Sequence, residues 1–273
     1  MSGADRQWTL NRLNFEGCWQ GASRWYLRAE QHPTAPLAFD QPDRLIADTR
    51  YAIHFSDADT GVWDGSGLLF APDGRRRLPL SRQGYNQGGS CWQFLGAGGQ
   101  SSLTVDPAAP RFGHEINHFH GRSRSMLVLL WDRQPPAAQP WRLSAVAAVP
   151  FRCSLSEPPE PARPPASAEH ILAAVEGWPG SEEVLHPGQW PDRDPDPRPA
   201  APFRPELFAA AGRCAALADR LLFAVPEELP EGGFRLETGC LLTPQLFQQI
   251  SLQFNAGQRL ERIERRRFSP GAG

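Results

Sequence analysis

The chain has 273 residues, 40% of them apolar and 21% charged, which is ordinary globular usage and excludes wholesale disorder. Its formal net charge of -2 and pI near 6.4 predict no general attraction to nucleic acid or to an acidic membrane. All 28 basic residues are arginine, so Schiff-base lysines, P-loops and other lysine-dependent chemistry are excluded.

Met1 to Leu13 has no apolar core of signal-peptide length, and no later run would span a bilayer. A soluble, cytoplasmic chain without membrane insertion is therefore expected. Phe15 to Tyr26 reads Phe-Glu-Gly-Cys-Trp-Gln-Gly-Ala-Ser-Arg-Trp-Tyr, and Val175 to Ser181 repeats its core as Val-Glu-Gly-Trp-Pro-Gly-Ser. A tryptophan between glycines suits a strand that bends sharply while burying one flat side chain, and each copy is read as an opening strand. Leu45 to Phe55 alternates, with Leu45, Ala47, Thr49, Tyr51, Ile53 and Phe55 on one face. Trp63 to Phe70 follows, and Pro72-Asp73-Gly74 signals a hairpin turn with Arg75-Arg76-Arg77 as its solvated tip. Further strands are expected at Gly84 to Leu95 and Ser101 to Val105 around a Gly96 to Gly99 turn. Phe112 to His120 with Met126 to Trp131 forms a hairpin, and Trp141 to Cys153 closes the first half. Short strands at turn-length intervals without an intervening helix predict an antiparallel barrel or sandwich.

Residues 154–169 carry five prolines and read as a stiff linker. Beyond the second opening and a proline-dense stretch from Pro191 to Pro205, Glu206 to Leu222 fits either a helix or strands. Phe234 to Leu242, Phe247 to Phe254 and Leu260 to Phe268 are the closing strands. A second matched anchor, Phe112-x-x-Glu115 against Phe234-x-x-Glu237, supports an internal duplication.

Gly17-Cys18-Trp19 resembles the opening strand of the lipocalins. Together with the Phe112-Gly-His-Glu115 strand, Arg124-Ser-Met-Leu-Val, Phe234-x-Leu-Glu237 and Leu241-Leu-Thr-Pro244, the chain is similar to a family of paired lipocalin-like (calycin) domains in cyanobacteria and plastids. That family includes a plastid biogenesis factor for assembly of the ATP synthase catalytic head. The resemblance implies an all-β chain of two consecutive antiparallel lipocalin-like β-barrels, at residues 1–153 and 170–268, with a flexible tail at 269–273. It also implies a non-enzymatic assembly factor whose protein partner would be the ATP synthase head or another photosynthetic complex. A more distant similarity to phycobiliprotein lyases supports the alternative, a carrier or lyase-like module for a small hydrophobic ligand such as a bilin or lipid.

The residues give the ligand reading its own basis. Trp19, Trp25, Tyr51, Trp92 and Trp178 are read as barrel lining that would stack on a flat or acyl ligand. Glu115 and Glu237 sit in apolar strands and need arginine partners, with Arg124 or Arg142 for the first and Arg262 or Arg265 for the second. His118 and His120 form a His-x-His pair able to give two ligands to a metal, with His54 as the third, against the favoured plain reading that these histidines lie on a solvated outer face or line a polar barrel mouth. The five cysteines lack any Cys-x-x-Cys spacing and read as buried apolar residues, and no cofactor is indicated.

Overall fold

A computed structural model describes residues 2–271 apart from 30, 33, 134–139 and 156–159. The chain opens with a helix, α1 (Gly3–Phe15), where the sequence pattern predicts none. Ser2 Oγ accepts the Asp5 N–H at 3.2 Å and the Asp5 carboxylate accepts the Ser2 N–H at 3.0 Å, a reciprocal cap that satisfies two backbone donors. Nine strands follow: β1 (Gly17–Leu27), β2 (Arg44–Phe55), β3 (Thr60–Ser66), β4 (Arg75–Ser81), β5 (Cys91–Phe94), β6 (Ala97–Ser101), β7 (Arg111–His120), β8 (Ser123–Arg133) and β9 (Trp141–Cys153). They form one antiparallel sheet in the order β4-β3-β2-β1-β9-β8-β7-β6-β5, curled into a half-barrel.

The second half begins with α2 (Ala168–Val175), then β10 (Gly180–Leu185), β11 (Arg198–Ala200), α3 (Pro205–Ala209), β12 (Arg213–Leu217), β13 (Leu221–Val225), β14 (Phe234–Thr243), β15 (Leu246–Phe254) and β16 (Leu260–Phe268). Its seven strands run in the order β11-β10-β16-β15-β14-β13-β12. In each half the first strand pairs with the last, β1 with β9 and β10 with β16. The shared order gives the internal duplication a topological basis, with β3 and β4 as additions to the first half. Each half also opens alike: a helix, a glutamate C-cap (Glu16, Glu176), then a glycine at φ 143° (Gly17) or φ 73° (Gly177), values that exclude a side chain without strain.

Several expectations are corrected. Arg75 to Arg77 lie exposed on β4, not at a loop tip, and the turn before them is Pro72–Gly74. Gly98 and Gly99 belong to β6, because a Cβ at Gly99 would lie 2.6 Å from the Trp92 ring; the turn is at Leu95 and Gly96. Leu45 is 61% exposed, since a register shift opposite Gly21/Ser23 adds a residue to β2 and turns Ile46 inward in its place. Glu206 to Leu222 contains both of its alternatives, α3 and then β12. Of the expected linker, 156–159 lie outside the described residues, and Ala168 and Glu169 already belong to α2.

The two ends of the first sheet, β4 and β5, do not pair with each other. Helix α1 stands in that seam. Gln7 binds the edge strand as another strand would: its Nε2 donates to the Gln93 carbonyl at 3.0 Å and its Oε1 accepts the Gln93 N–H at 2.7 Å. Asn14 donates to the Phe94 carbonyl at 2.7 Å and accepts the Gly96 N–H at 2.9 Å. On the opposite side Trp8 Nε1 donates to the Ala58 carbonyl at 2.8 Å, and its ring packs edge-on against Phe55 at 5.2 Å. Backbone groups that would otherwise be bare are thereby covered.

The sheets pack back to back. Alternation on β7 sends Phe112, His114, Ile116 and His118 to the shared face, and Gly113, Glu115, Asn117 and Phe119 to the inner face. Phe112 meets Phe254 at 5.3 Å and Phe234 at 6.1 Å, so the two repeat anchors touch. Leu127, Leu129 and Trp131 share one cluster with Leu221, Phe223, Leu236, Ile250 and Leu252. At one end of this joint the buried Asp219, in the left-handed region at φ 64°, accepts from Arg152 Nη2 at 2.6 Å, Arg163 Nη1 at 2.6 Å and Ser125 Oγ at 2.6 Å. Arg163 comes from the proline-rich segment and also donates to the Leu242 carbonyl at 2.8 Å, so that segment is bonded to both sheets. Burial pushes the Asp219 carboxyl up, but the Arg152, Arg163 and Ser125 contacts outweigh it and hold the pKa below its ordinary value. Asp219→Asn keeps a side chain that tolerates this backbone and removes the charge between two arginines. It should cost about 3–5 kcal/mol in denaturant unfolding, and a loss below about 1 kcal/mol would show that the network does not hold the joint.

Candidate functional site

The inner face of the first sheet encloses a cavity of about 500 Å³, within the range of small-ligand sites. Trp25 from β1, Tyr51 and Ile53 from β2, Trp63 from β3 and Leu80 from β4 form its walls, and Phe15 of α1 closes one side. Phe70, 57% exposed, lies at the mouth with its ring 5.1 Å from that of Trp25. A more open cleft of about 360 Å³ shares Gln100, Glu115 and Val128 with it.

The floor is polar. Adjacent strands β7 and β8 place Glu115, Asn117 and Arg124 on the same face. Arg124 Nε donates to Asn117 Oδ1 at 2.7 Å, and its Nη2 donates to Glu115 Oε1 at 3.1 Å. Asn117 Nδ2 donates to the same Oε1 at 3.1 Å. The Arg124 guanidinium lies among the rings of Phe15, Phe151, Tyr51 and Phe119, at 4.7, 5.0, 5.3 and 5.8 Å. Burial lowers its pKa, while the charge of Glu115 and its hydrogen bond act in the other direction. Burial, reinforced by the nearby Glu115 charge and opposed by Arg124, raises the pKa of Tyr51, so this phenol stays protonated across physiological pH.

Trp25, Tyr51, Glu115 and Arg124 are thus brought together, and the Glu115–Arg124 pair is one the sequence predicts. The other expected lining residues are elsewhere. Trp19 plugs the closed end: its Nε1 donates to the Phe15 carbonyl at 2.7 Å, and the Arg122 guanidinium covers its ring at 4.9 Å. Trp92 faces the joint, because Cys91 and Gln93 take the inward positions of the short strand β5. Trp178 lies ahead of β10 and packs beneath α2. Glu237 is buried in the second sheet, where Oε2 accepts from Gln249 at 2.7 Å and from Ser251. Its arginine is Arg235 at 2.9 Å, whereas Arg262 pairs with Glu264 and Arg265 with Glu183. Burial raises the Glu237 pKa against the pull of those hydrogen bonds and of Arg235.

The histidines do not converge. His118 lies in the joint with both ring nitrogens engaged. Gln248 Nε2, also bonded to the Gly96 carbonyl, donates to Nδ1 at 3.1 Å, which leaves the proton on Nε2 to reach Thr238 Oγ1 at 3.2 Å. His120 is exposed at the end of β7 and His54 is exposed on β2. Among the described residues no group of three or more His, Cys, Asp or Glu could hold a metal ion. Sequence reasoning missed Leu80 and Asn117 as site residues; the i, i+2 relation of Asn117 to Glu115 was the available signal.

Among the described residues no helix is long and apolar enough to cross a membrane. No family model and no curated protein matches the chain. A crystal structure of a protein of unknown function from the DUF3598 family of Nostoc punctiforme PCC 73102 is similar over 97% of this chain and 98% of that one, with TM-score 0.68 and 16% identity. At that identity the likeness shows the fold alone. A putative outer membrane protein from Bacteroides fragilis NCTC 9343 covers 98% of this chain and 100% of its own at 6% identity, and its TM-score of 0.20 carries no argument.

His114, beside Phe112, Trp131 and Phe254, has no partner at either ring nitrogen among the described residues. Burial pushes both His114 and His118 down to about 3, with the Arg163 charge adding to the effect at His118. Folded pKa values below the unfolded value mean that stability is full above about pH 6.5 and falls as pH drops toward 3. Each histidine contributes a slope of about 1.4 kcal/mol per pH unit inside that window. Denaturant unfolding between pH 7.5 and 4.5 should show this loss, and His114→Phe should remove about half of it, leaving the His118 share; a pH-independent wild type would contradict the assignment.

Proposed function

We propose that the chain is a non-enzymatic binding module that holds one small, mainly apolar molecule inside the first half-barrel. The observation that carries this reading is the cavity of about 500 Å³, with aromatic and aliphatic side chains on its walls and the Glu115–Arg124 pair on its floor. Sites of that size and character bury most of a small ligand while a few fixed polar groups orient it. The equivalent face of the second sheet is occupied at one end by Phe203, Phe208, Phe247 and Phe268 beneath α2. The second half is therefore the buttress in this proposal. The lipocalin-like description of each half belongs to the same proposal, supported by the openings in which a Glu-Gly pair leads into a tryptophan and by the pairing of first strand with last.

Assembly of a photosynthetic or ATP-synthase complex stands as a second proposal. One surface favours it: β4 ends the first sheet and presents Arg75, Arg76 and Arg77 to solvent. An acidic extended segment would find both open backbone groups and charge there, although arginines on an edge strand also guard against unwanted pairing.

Protein purified from native extract should release a small molecule on solvent extraction and mass spectrometry, and the emptied protein should bind an apolar fluorophore such as 1-pyrenebutanol. Leu80→Trp, which fills the cavity from its edge, should weaken that binding about tenfold or more, equivalent to 1.4 kcal/mol. Failure to extract any molecule together with failure to bind the fluorophore would overturn the ligand reading. A stoichiometric protein partner in the same eluate, lost on Arg75→Glu with Arg77→Glu, is the outcome expected of the second proposal.

A further inference from the structure

We infer that the molecule held in the cavity is uncharged and offers a hydroxyl or N–H donor to Glu115. This deepens the ligand-binding reading and rests on it. Arg124 and Glu115 form a charge-balanced pair on the cavity floor, but the two partners are presented differently. The Arg124 side chain is 1% exposed and enclosed by rings, whereas that of Glu115 is 36% exposed. Of the two carboxylate oxygens, Oε1 accepts from both Arg124 and Asn117, while Oε2 has no hydrogen-bond partner among the described residues. Arg124 Nη1 also lacks a hydrogen-bond partner among the described residues, but it is buried, so the group that a ligand meets on the floor is an acceptor. On the wall Ser23 is engaged with Thr49, and Gln93 with Asn14 and Tyr85.

An ionised carboxylate has lone pairs and no proton to give. Solvent can satisfy Oε2 while the cavity is open, but a ligand that fills the cavity displaces that solvent. If the ligand lacks a donor, the oxygen is left buried and unpaired, which is costly. A ligand carboxylate has no proton to give Oε2. A ligand cation would gain little, because Arg124 already neutralises Glu115 and Arg76 lies on the lining. An alcohol, phenol or pyrrole-type N–H on an apolar body meets all three constraints.

The test is fluorescence titration of the full chain at pH 8 with three probes that share one fluorophore: 1-pyrenebutanol, its methyl ether and 1-pyrenebutyric acid. The alcohol should bind about tenfold tighter than either of the others, the difference one satisfied hydrogen bond to a charged group supplies. Equal, tight binding of alcohol and ether would overturn the donor requirement and leave the cavity as an apolar site. Tighter binding of the acid would overturn it by assigning recognition to Arg124. No binding of any probe would overturn the ligand-binding reading itself. In Glu115→Gln the order should invert, since Arg124 then lacks its counter-charge and the acid supplies it. The wild-type series decides the question even if that variant fails to fold.

Discussion

An antiparallel sheet that curls without closing keeps two edges, and each is a row of backbone donors and acceptors that must find partners. At its β5 edge the first half meets this constraint with side chains. Gln7 and Asn14 reach from α1 to the backbone of Gln93, Phe94 and Gly96, so a helix performs the hydrogen bonding of a missing strand. The arrangement also sets the cavity. A strand in the seam would have zipped the inner face shut along its length, whereas the helix stands off and lends Phe15 as a wall.

The same frame serves two purposes in the two halves. Glu115 and Glu237 occupy matched positions three residues after Phe112 and Phe234, on the inner faces of their sheets. In the first half the partner is a buried arginine and the space above is open. In the second, Ser251 and Gln249 hold the carboxylate, and phenylalanines from α3, the preceding loop, β15 and β16 fill much of what would be the matching hollow. Duplication supplied the scaffold, and the side chains on the inner faces distinguish a hollow from a packed core.

Much of this was legible in the residues. The strand from Trp141 to Cys153, the hairpin around Gly121 and the three closing strands follow from apolar runs and turn residues, and the need of Glu115 for a cation pointed to Arg124 or Arg142. What escaped has specific causes. The buried residues of α1 are Gln7, Trp8, Leu10 and Asn14; two of the four are amides, so a search for apolar periodicity passes over it. Its capping pair Ser2 and Asp5 was the available clue. Trp92 and Leu45 were assigned to the wrong face because strand parity is lost on a four-residue strand and across a bulge. Nothing local in the sequence marks Phe112, His118 or Trp131 as facing another sheet, since both faces of a strand sandwiched between layers carry similar side chains.

The back-to-back joint bears on how the molecule can be taken apart. Phe112, Leu129 and Trp131 on one side and Phe223, Leu252 and Phe254 on the other shelter one another. Severing the chain in its proline-rich segment would therefore not release two self-sufficient pieces. Each fragment would carry a broad apolar sheet face into water, the kind of surface that drives aggregation unless its mate is present. The fragments would behave as complementary parts, each completing the other's fold, and the covalent segment between them, bonded through Arg163 to both, ensures that the mate is always at hand.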